Sequence, residues 1–312
     1  MTTTTAEPMI RTTSVPNSEG PWQRAGHQFL RQRSAIIGLV VIGLLAFTAI
    51  FAPFIAPNDP IGVLLGKEAG IVKRSGPCIH LFGCPADQPQ HMMGVDGNFR
   101  DLFSRIIYGA RLSLLTGFMT VSISLVMGVL LGAVAGYLGG WLDNLIMRLL
   151  DVLLAFPFLL LAIAIVSILG PGLLNAMLGI AIVSVPAYAR VIRASVLTVR
   201  EEDYVLAARA IGVPPTRILL GHIMPNAVSP LIVQATLGIG TAILDVAALS
   251  FLGLGAQPPT PEWGSMLSAE RNQVFTAPHL VFLPGLAIML TVLGFNLLGD
   301  GLRDALDPRL KR

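Results

Sequence analysis

The chain holds 312 residues, 54% of them hydrophobic and 12% charged, with a formal net charge of +3 and a mean hydropathy of +0.72. Soluble domains carry about 25% charged residues, so one water-facing core does not account for the deficit, and the composition points to an integral membrane protein. With no dense Lys/Arg tract, nucleic-acid binding is excluded.

Residues 1–34 form a polar, Thr-rich tail, with a short interfacial helix expected near Trp22–Arg33. The first apolar run, Ala35 to Phe54, is 20 residues long. Signal-peptide cores are about 7–15 residues, and no small-residue cleavage site follows, so residues 35–56 are read as a retained transmembrane helix. Residues 57–109 make a long external loop carrying both cysteines, Cys78 and Cys84. That compartment permits disulfides, and the short spacing fits either a bond or two free thiols. His80 and His91 lie nearby, but their spacing matches no standard zinc pattern, and no metal site is assigned.

Residues 110–302 are expected to form a transmembrane core. Leu112–Leu142 is a second uncharged span, and Val152–Ala189 runs for 38 residues without a charge. As one helix the latter would be about 57 Å long against an apolar slab of about 30 Å. Gly170-Pro171-Gly172 therefore splits it into a hairpin of two spans. Arg148 and Asp151 are spaced to pair on one helical face, and Pro157 and Pro186 read as kinks within helices. The many glycines of the spans are read as sites of close helix packing. Ile218–Leu244 leads into a fifth span and Asn272–Gly299 holds the sixth, separated by an external loop at 256–276.

Six spans put both termini on one side, with 303–312 as a second tail. Fourteen of the 21 Lys and Arg residues fall in the tails and in 140–151 and 190–217, which places those segments in the cytoplasm. Asp245 lies in or near the middle of the fifth span, where an unpaired acid costs a few kcal/mol. It reads either as a group facing the transport pathway or as an acid satisfied locally. Trp263 reads either as an interfacial aromatic or, with Glu262, as part of an outer entrance.

The segment 200–226 is too polar to cross lipid. Glu201, Glu202 and Asp203 suit a helix N-terminus, Gly212 stops that helix, and Pro214-Pro215 can start another. Pro225 breaks it before the fifth span. A helix–turn–helix bracket results, with Ala207, Ala208 and Ala210 as a small-residue surface and Arg209 as a charge contact. The plain alternative is an amphipathic connector resting on headgroups.

Tyr204-Val205-Leu206-Ala207-Ala208-Arg209, Gly212, and His222-Ile223-Met224-Pro225-Asn226 resemble the Glu-Ala-Ala coupling loop of bacterial ABC importer permeases, in the form used by the dipeptide/oligopeptide/nickel branch. Leu206 stands for the glutamate, His222 for the isoleucine and Met224 for the leucine of the general pattern. His91-Met92-Met93-Gly94-Val95-Asp96, Arg100-Asp101, Ser104-Arg105 and Tyr108 through Leu114 resemble the block before the second span of that branch. Val95 replaces a usual threonine and Phe99 a usual glycine. Ala155-Phe156-Pro157, Ala248 through Gly255 and Pro261-Glu262-Trp263-Gly264 add matches, so the likeness covers about residues 35–310.

The resemblance implies an all-α, six-helix permease of the type I importer fold with cytoplasmic coupling helices, resident in a bacterial cytoplasmic membrane. It implies ATPase-coupling roles for Tyr204, Ala207, Ala208, Arg209, Gly212, His222, Pro225 and Asn226, and pathway or gating roles for Asp245, Glu262 and Trp263. Expected partners are a second homologous permease, one or two ABC ATPase subunits, an extracytoplasmic substrate-binding protein and membrane lipid. No Gly-x-x-x-x-Gly-Lys-Ser/Thr loop occurs. The chain is thus expected to be no enzyme and to carry no cofactor, with ATP and Mg²⁺ bound by the ATPase partners. Peptide, nickel and glutathione systems share these motifs, and peptide is the expected cargo. The rival reading is an autonomous ion-coupled carrier using Asp245.

Overall fold

A computed structural model describes residues 21–85 and 88–306. Helix α1 (Pro21–Arg31) precedes α2 (Arg33–Ile50) and the single turn α3 (Ala52–Ile55). An irregular stretch of chain leads to α4 (Leu102–Leu138), followed by α5 (Gly140–Leu154), α6 (Phe158–Leu169) and α7 (Leu173–Val199). Three short helices follow: α8 (Asp203–Ala210), α9 (Pro215–Ile218) and α10 (Met224–Ala227). Then come α11 (Ser229–Phe251), α12 (Trp263–Glu270) and α13 (His279–Leu306). No strand occurs among the described residues, only isolated bridges such as Cys78–His91 and Val95–Asp101.

Five helices (α2, α4, α7, α11 and α13) are long and apolar enough to cross a membrane. The sixth crossing differs from expectation. Gly170 does break the long uncharged run, at a φ of +90°. However, α6 has only 12 residues, about 18 Å, too short for a slab of about 30 Å. It can cross only together with α5, from which it is bent by 91°. Pro157 withholds a backbone N–H at the break and stands at the N-cap of α6, whereas Pro186 does lie inside α7.

The last two spans also begin later than the hydropathy suggests. Ile218–Ala227 belongs to the bracket, and 271–278 is a short 3₁₀ turn and loop before α13. The 37-residue α4, at about 55 Å, outruns the slab. Its first turn, with buried Arg105 donating to the Pro60 carbonyl, packs under the irregular loop; Asp101 caps it by accepting from the Ser104 N–H at 2.8 Å.

The most extensive seam in the bundle is α4 against α7. Gly128, Gly132 and Gly136 fall at four-residue spacing on the α4 face that meets α7. A Cβ on Gly128 would lie 2.6 Å from Tyr188 Cβ, and one on Gly136 3.0 Å from the Arg193 carbonyl oxygen. Small residues let the two backbones approach where lipid supplies no hydrophobic drive between helices. At the α5 end, Arg193 grips Asp143 with two bonds of 2.6 Å, and Arg190 pairs with Asp151 at 2.6 Å. Asp151 therefore bonds across to α7 instead of to Arg148.

Candidate coupling bracket and loop cap

Helices α8 to α10 form the bracket between α7 and α11. At its root, Arg200 Nη1 donates to the Gly136 carbonyl at 2.9 Å, tying the bracket to the end of α4. Val205 and Ala208, three residues apart on α8, are buried and pack with Ile218, Ile223, Ala227 and the α7 residue Val196. Gly212 ends α8 in the left-handed region at φ +79°, while the Val213 N–H returns to the Ala208 carbonyl at 3.1 Å. Such a C-terminal closure suits glycine, which has no Cβ penalty there. Pro214 is extended and Pro215 opens α9; a π-helical turn, Leu219–Ile223, joins α9 to α10.

The two ends of the motif close on each other. Asn226 Nδ2 donates to the Tyr204 hydroxyl oxygen at 3.1 Å and to the His222 carbonyl at 2.8 Å. His222 Nδ1 lies 3.4 Å from the Arg217 carbonyl. Tyr204, His222 and Asn226 thus brace α8 against the turn preceding α11. Ala207, Arg209 and Ala210 are exposed, and Pro225 is exposed at the start of α10. Ala208 is 5% exposed, so its side chain offers no surface to a partner; its small size lets α8 seat on the bundle. Sequence reasoning missed Ile211 and Leu220, which stand 81% and 69% exposed on the bracket.

Glu262 and Trp263 stand at the start of the short outer helix α12. Trp263 is 1% exposed and its Nε1 donates to the Ile106 carbonyl at 3.1 Å. Glu262 caps α12, accepting from the Gly264 and Ser265 N–H groups at 2.9 and 2.8 Å. Burial pushes its carboxyl pKa up, against the lowering effect of those bonds. Trp263 thus fastens α12 to α4, and Glu262 closes the first turn of α12. Asp245 is half-buried on α11, and no hydrogen bond or ion pair reaches it among the described residues.

At the opposite end from the bracket lies a cap built from residues 56–85 and 88–101. Cys78 and Cys84 sulfurs are in bonding contact, with Cα atoms 5.4 Å apart. Buried His91 bridges two carboxylates: Nδ1 to Asp101 Oδ1 at 2.9 Å and Nε2 to Glu68 Oε2 at 3.0 Å. The Asp101 hydrogen bond, together with both negative charges, raises the His91 pKa against the opposing pull of burial. Burial alone would raise Asp101, but bonds from His91 and Ser104 hold it below the usual carboxylate range. His80 Nε2 is taken by the Gln88 carbonyl at 2.8 Å. Asp96 Oδ1 accepts from the N–H groups of Asn98 and Arg100, forming a tight turn with Phe99 at φ +57°. Arg74 fastens the loop to Glu270 at 2.9 Å, and Glu270 also accepts from the Gly97 N–H at 2.8 Å.

Residues 128–312 match the family described as binding-protein-dependent transport system inner membrane component, and residues 20–66 match the N-terminal transmembrane domain of oligopeptide transport permease C. The chain is 48% identical over its whole length, and the whole of the relative, to a dipeptide transport system permease protein of Alkalihalophilus pseudofirmus. It is 50% identical to a di/tripeptide transport system permease protein of Pseudomonas aeruginosa over 93% of each chain. Identity to a glutathione transport system permease protein of Escherichia coli is 46%, over 98% of this chain and 95% of the relative. The fold is also that of the MetNI methionine ABC transporter in inward-facing form, with a TM-score of 0.54 at 19% identity over 64% of this chain and 96% of the other. An amino acid ABC transporter gives 0.50 at 17% identity, over 65% of this chain and 94% of the other.

Proposed function

Because the chain belongs to the family of inner-membrane components of binding-protein-dependent transport systems, we propose that it is a permease subunit of an ATP-driven ABC importer for small peptides. It forms half of the translocation pathway and pairs with a second, similar permease. ATPase subunits bind ATP and Mg²⁺ and dock on the bracket; an extracytoplasmic binding protein delivers cargo at the cap. Both termini and the bracket lie in the cytoplasm, as the Lys/Arg bias favours, and the cap lies outside, where the Cys78–Cys84 bond persists. The peptide cargo rests on the dipeptide, di/tripeptide and glutathione systems to which the chain is similar.

The observation that carries this reading is the braced bracket. Its inner face is part of the bundle core, and its outer face presents Ala207, Ala210, Ile211 and Leu220. A surface that is firmly seated and partly apolar transmits displacement instead of absorbing it. When ATP draws the ATPases together, α8 follows and the spans rock between two arrangements. Asp245, without an ion partner or a paired acid, gives little support to an autonomous carrier, and the dependence of the family on a binding protein speaks against one.

The test is to place cysteine at Ala207 and at Ile211 in the assembled importer and to cross-link to the ATPase. A nucleotide-sensitive cross-link is expected. Ala207→Trp should leave membrane insertion intact and lower uptake about tenfold or more, by holding the partner off a packed contact. Normal uptake at matched expression overturns the coupling role. Uptake by the permeases alone, driven by an ion gradient, restores the rival.

A further inference from the structure

Asp245 is the one charged side chain in the 23 residues of α11. At 1.5 Å per residue it lies about 9 Å inside the end of the helix at Phe251, between the apolar side chains of Leu244 and Val246. Charged groups on the helices packed against α11 are engaged elsewhere or stand at the helix ends. Arg105 of α4 donates to the Pro60 and Pro259 carbonyls, and Arg190 and Arg193 of α7 hold Asp151 and Asp143. Glu262 and Glu270 of α12 are taken by backbone N–H groups and by Arg74. Arg111 is exposed near the start of α4, His279 lies against Gly94 of the cap, and Asp300, Arg303 and Asp304 are exposed near the bracket end of α13. None of them pairs with Asp245 among the described residues.

Pro230, Gln234, Leu237, Thr241, Asp245 and Ala248 follow one another at three- and four-residue steps, so they share one face of α11. None of the six is buried, whereas Leu231, Ala242, Ile243, Val246 and Leu249 turn into the bundle. This open face carries the polar groups of the span. At the bracket end, Pro230, Gln234 and Leu237 line a groove of about 660 Å³ that reaches Asn226 of the bracket. At the cap end, a second groove of about 380 Å³ lies against Ser250 and Gly253 and is walled by Ser265 and Ser268 of α12. Both volumes fall in the range of small-molecule sites, roughly 300–1,000 Å³. Asp245 stands on the stretch of α11 between them. An open span face meets lipid, another subunit or a hydrated passage, and an unpaired acid is costly against lipid.

We propose that the Asp245 carboxylate receives the N-terminal ammonium of the peptide cargo as it passes along this face of α11. The inference rests on the transport reading above and adds which group of the cargo this chain recognises, and where. Small peptides of different sequence share only their backbone amides, one terminal ammonium and one terminal carboxylate, so a passage that serves many of them can read only those groups. A lone carboxylate answers the ammonium by charge. One turn away, the Thr241 hydroxyl donates back to the Gly238 carbonyl at 2.9 Å, which leaves its oxygen lone pairs as further acceptors on the same face. Ala248, one turn to the other side, is small and leaves room for a peptide backbone. The half-buried setting keeps the attraction moderate, as a passing site must be strong enough to admit the ion and weak enough to release it.

The experiment uses the complete importer in proteoliposomes, with its binding protein saturated either with a dipeptide bearing a free amino terminus or with the N-acetylated form of a dipeptide that the binding protein holds in both forms. ATP-driven uptake of each is measured in wild type, Asp245→Asn and Asp245→Glu at matched expression. Asp245→Asn should lower the maximal uptake of the free-amine peptide roughly tenfold or more, with the half-saturating concentration of loaded binding protein unchanged, and should leave acetylated uptake where it was. Asp245→Glu should restore most of the free-amine uptake. The preference of the binding protein itself is common to wild type and variant, so it cancels when the two uptake ratios are compared. An equal loss for both peptides overturns the proposal, because the carboxylate then serves structure or pairs with a basic side chain of the second permease. No loss for either overturns it as well, because the cargo then never meets Asp245. If the wild-type importer moves neither peptide with ATP and loaded binding protein, the transport reading itself fails.

Discussion

Phe99 holds a left-handed backbone at φ +57° between Asp96 and Arg100, whose N–H groups and carboxylate close the turn. Any Cβ costs about 1–2 kcal/mol there. Glycine is usually about 0.5–1 kcal/mol worse than alanine in regular structure; at this position the order should invert. Phe99→Gly is expected to be more stable than Phe99→Ala by about 1 kcal/mol, read from unfolding of the purified complex. Equal stability, or the ordinary order, would show that the turn relaxes. His91 makes a second residue-scale prediction. Its pKa is raised in the folded state by Asp101 and Glu68, so its stabilisation is full below its unfolded value and is lost as pH rises through the folded one. Asp101, held low, acts in the other direction: its contribution is present above its unfolded value and fades as pH falls through the folded one. The unfolding temperature should therefore decline on the alkaline side in wild type, and the decline should be shallower in His91→Gln. Parallel curves would remove His91 from the account.

Helices were legible in the sequence wherever glycine or proline punctuates them. The bracket is the best case: acids at 201–203, Gly212, the 214–215 pair and Pro225 mark its parts, and α8 and α9 lie where those residues place them. The inward turn of Ala208 was also open to inference, since Val205 and Ala208 share a helical face. Ile211 and Leu220 were not, because an apolar residue in sequence reads as core unless something shows that its side faces away. The third crossing was placed in the first arm of the 152–189 hairpin, without α5, for a related reason. Residues 140–154 carry Asp143, Arg148 and Asp151, which hid the helix α5, and only the tertiary pairs Arg193–Asp143 and Arg190–Asp151 show where it lies. Likewise Glu262 and Trp263 gave no sequence sign that α12 would bury them. The glycine seam between α4 and α7 permits a direct test. Gly128→Leu, forced onto Tyr188 where a Cβ alone would come within 2.6 Å, should cost about 1–3 kcal/mol or more and lower the yield of assembled complex. Gly43→Leu, with open space around it, is the control; if the two variants behave alike, the seam is not tight in the membrane.

At the scale of the whole molecule, α4 is one continuous rod with a fixture at each end. Near one end Asp101 caps it and belongs to the His91 cluster; near the other, the Gly136 carbonyl accepts from Arg200 at the root of the bracket. About 55 Å separates its ends, and no proline or helix break lies between them to absorb displacement. A straight strut of this kind is indifferent to direction. Under the proposed coupling role, whatever nucleotide does at the bracket end, docking at the cap must be able to do in reverse, because a coupling free energy between two binding sites acts equally on both. An importer of the proposed kind would then count arrivals: a carrier docked at the cap would shift nucleotide affinity at the bracket end before any solute had moved.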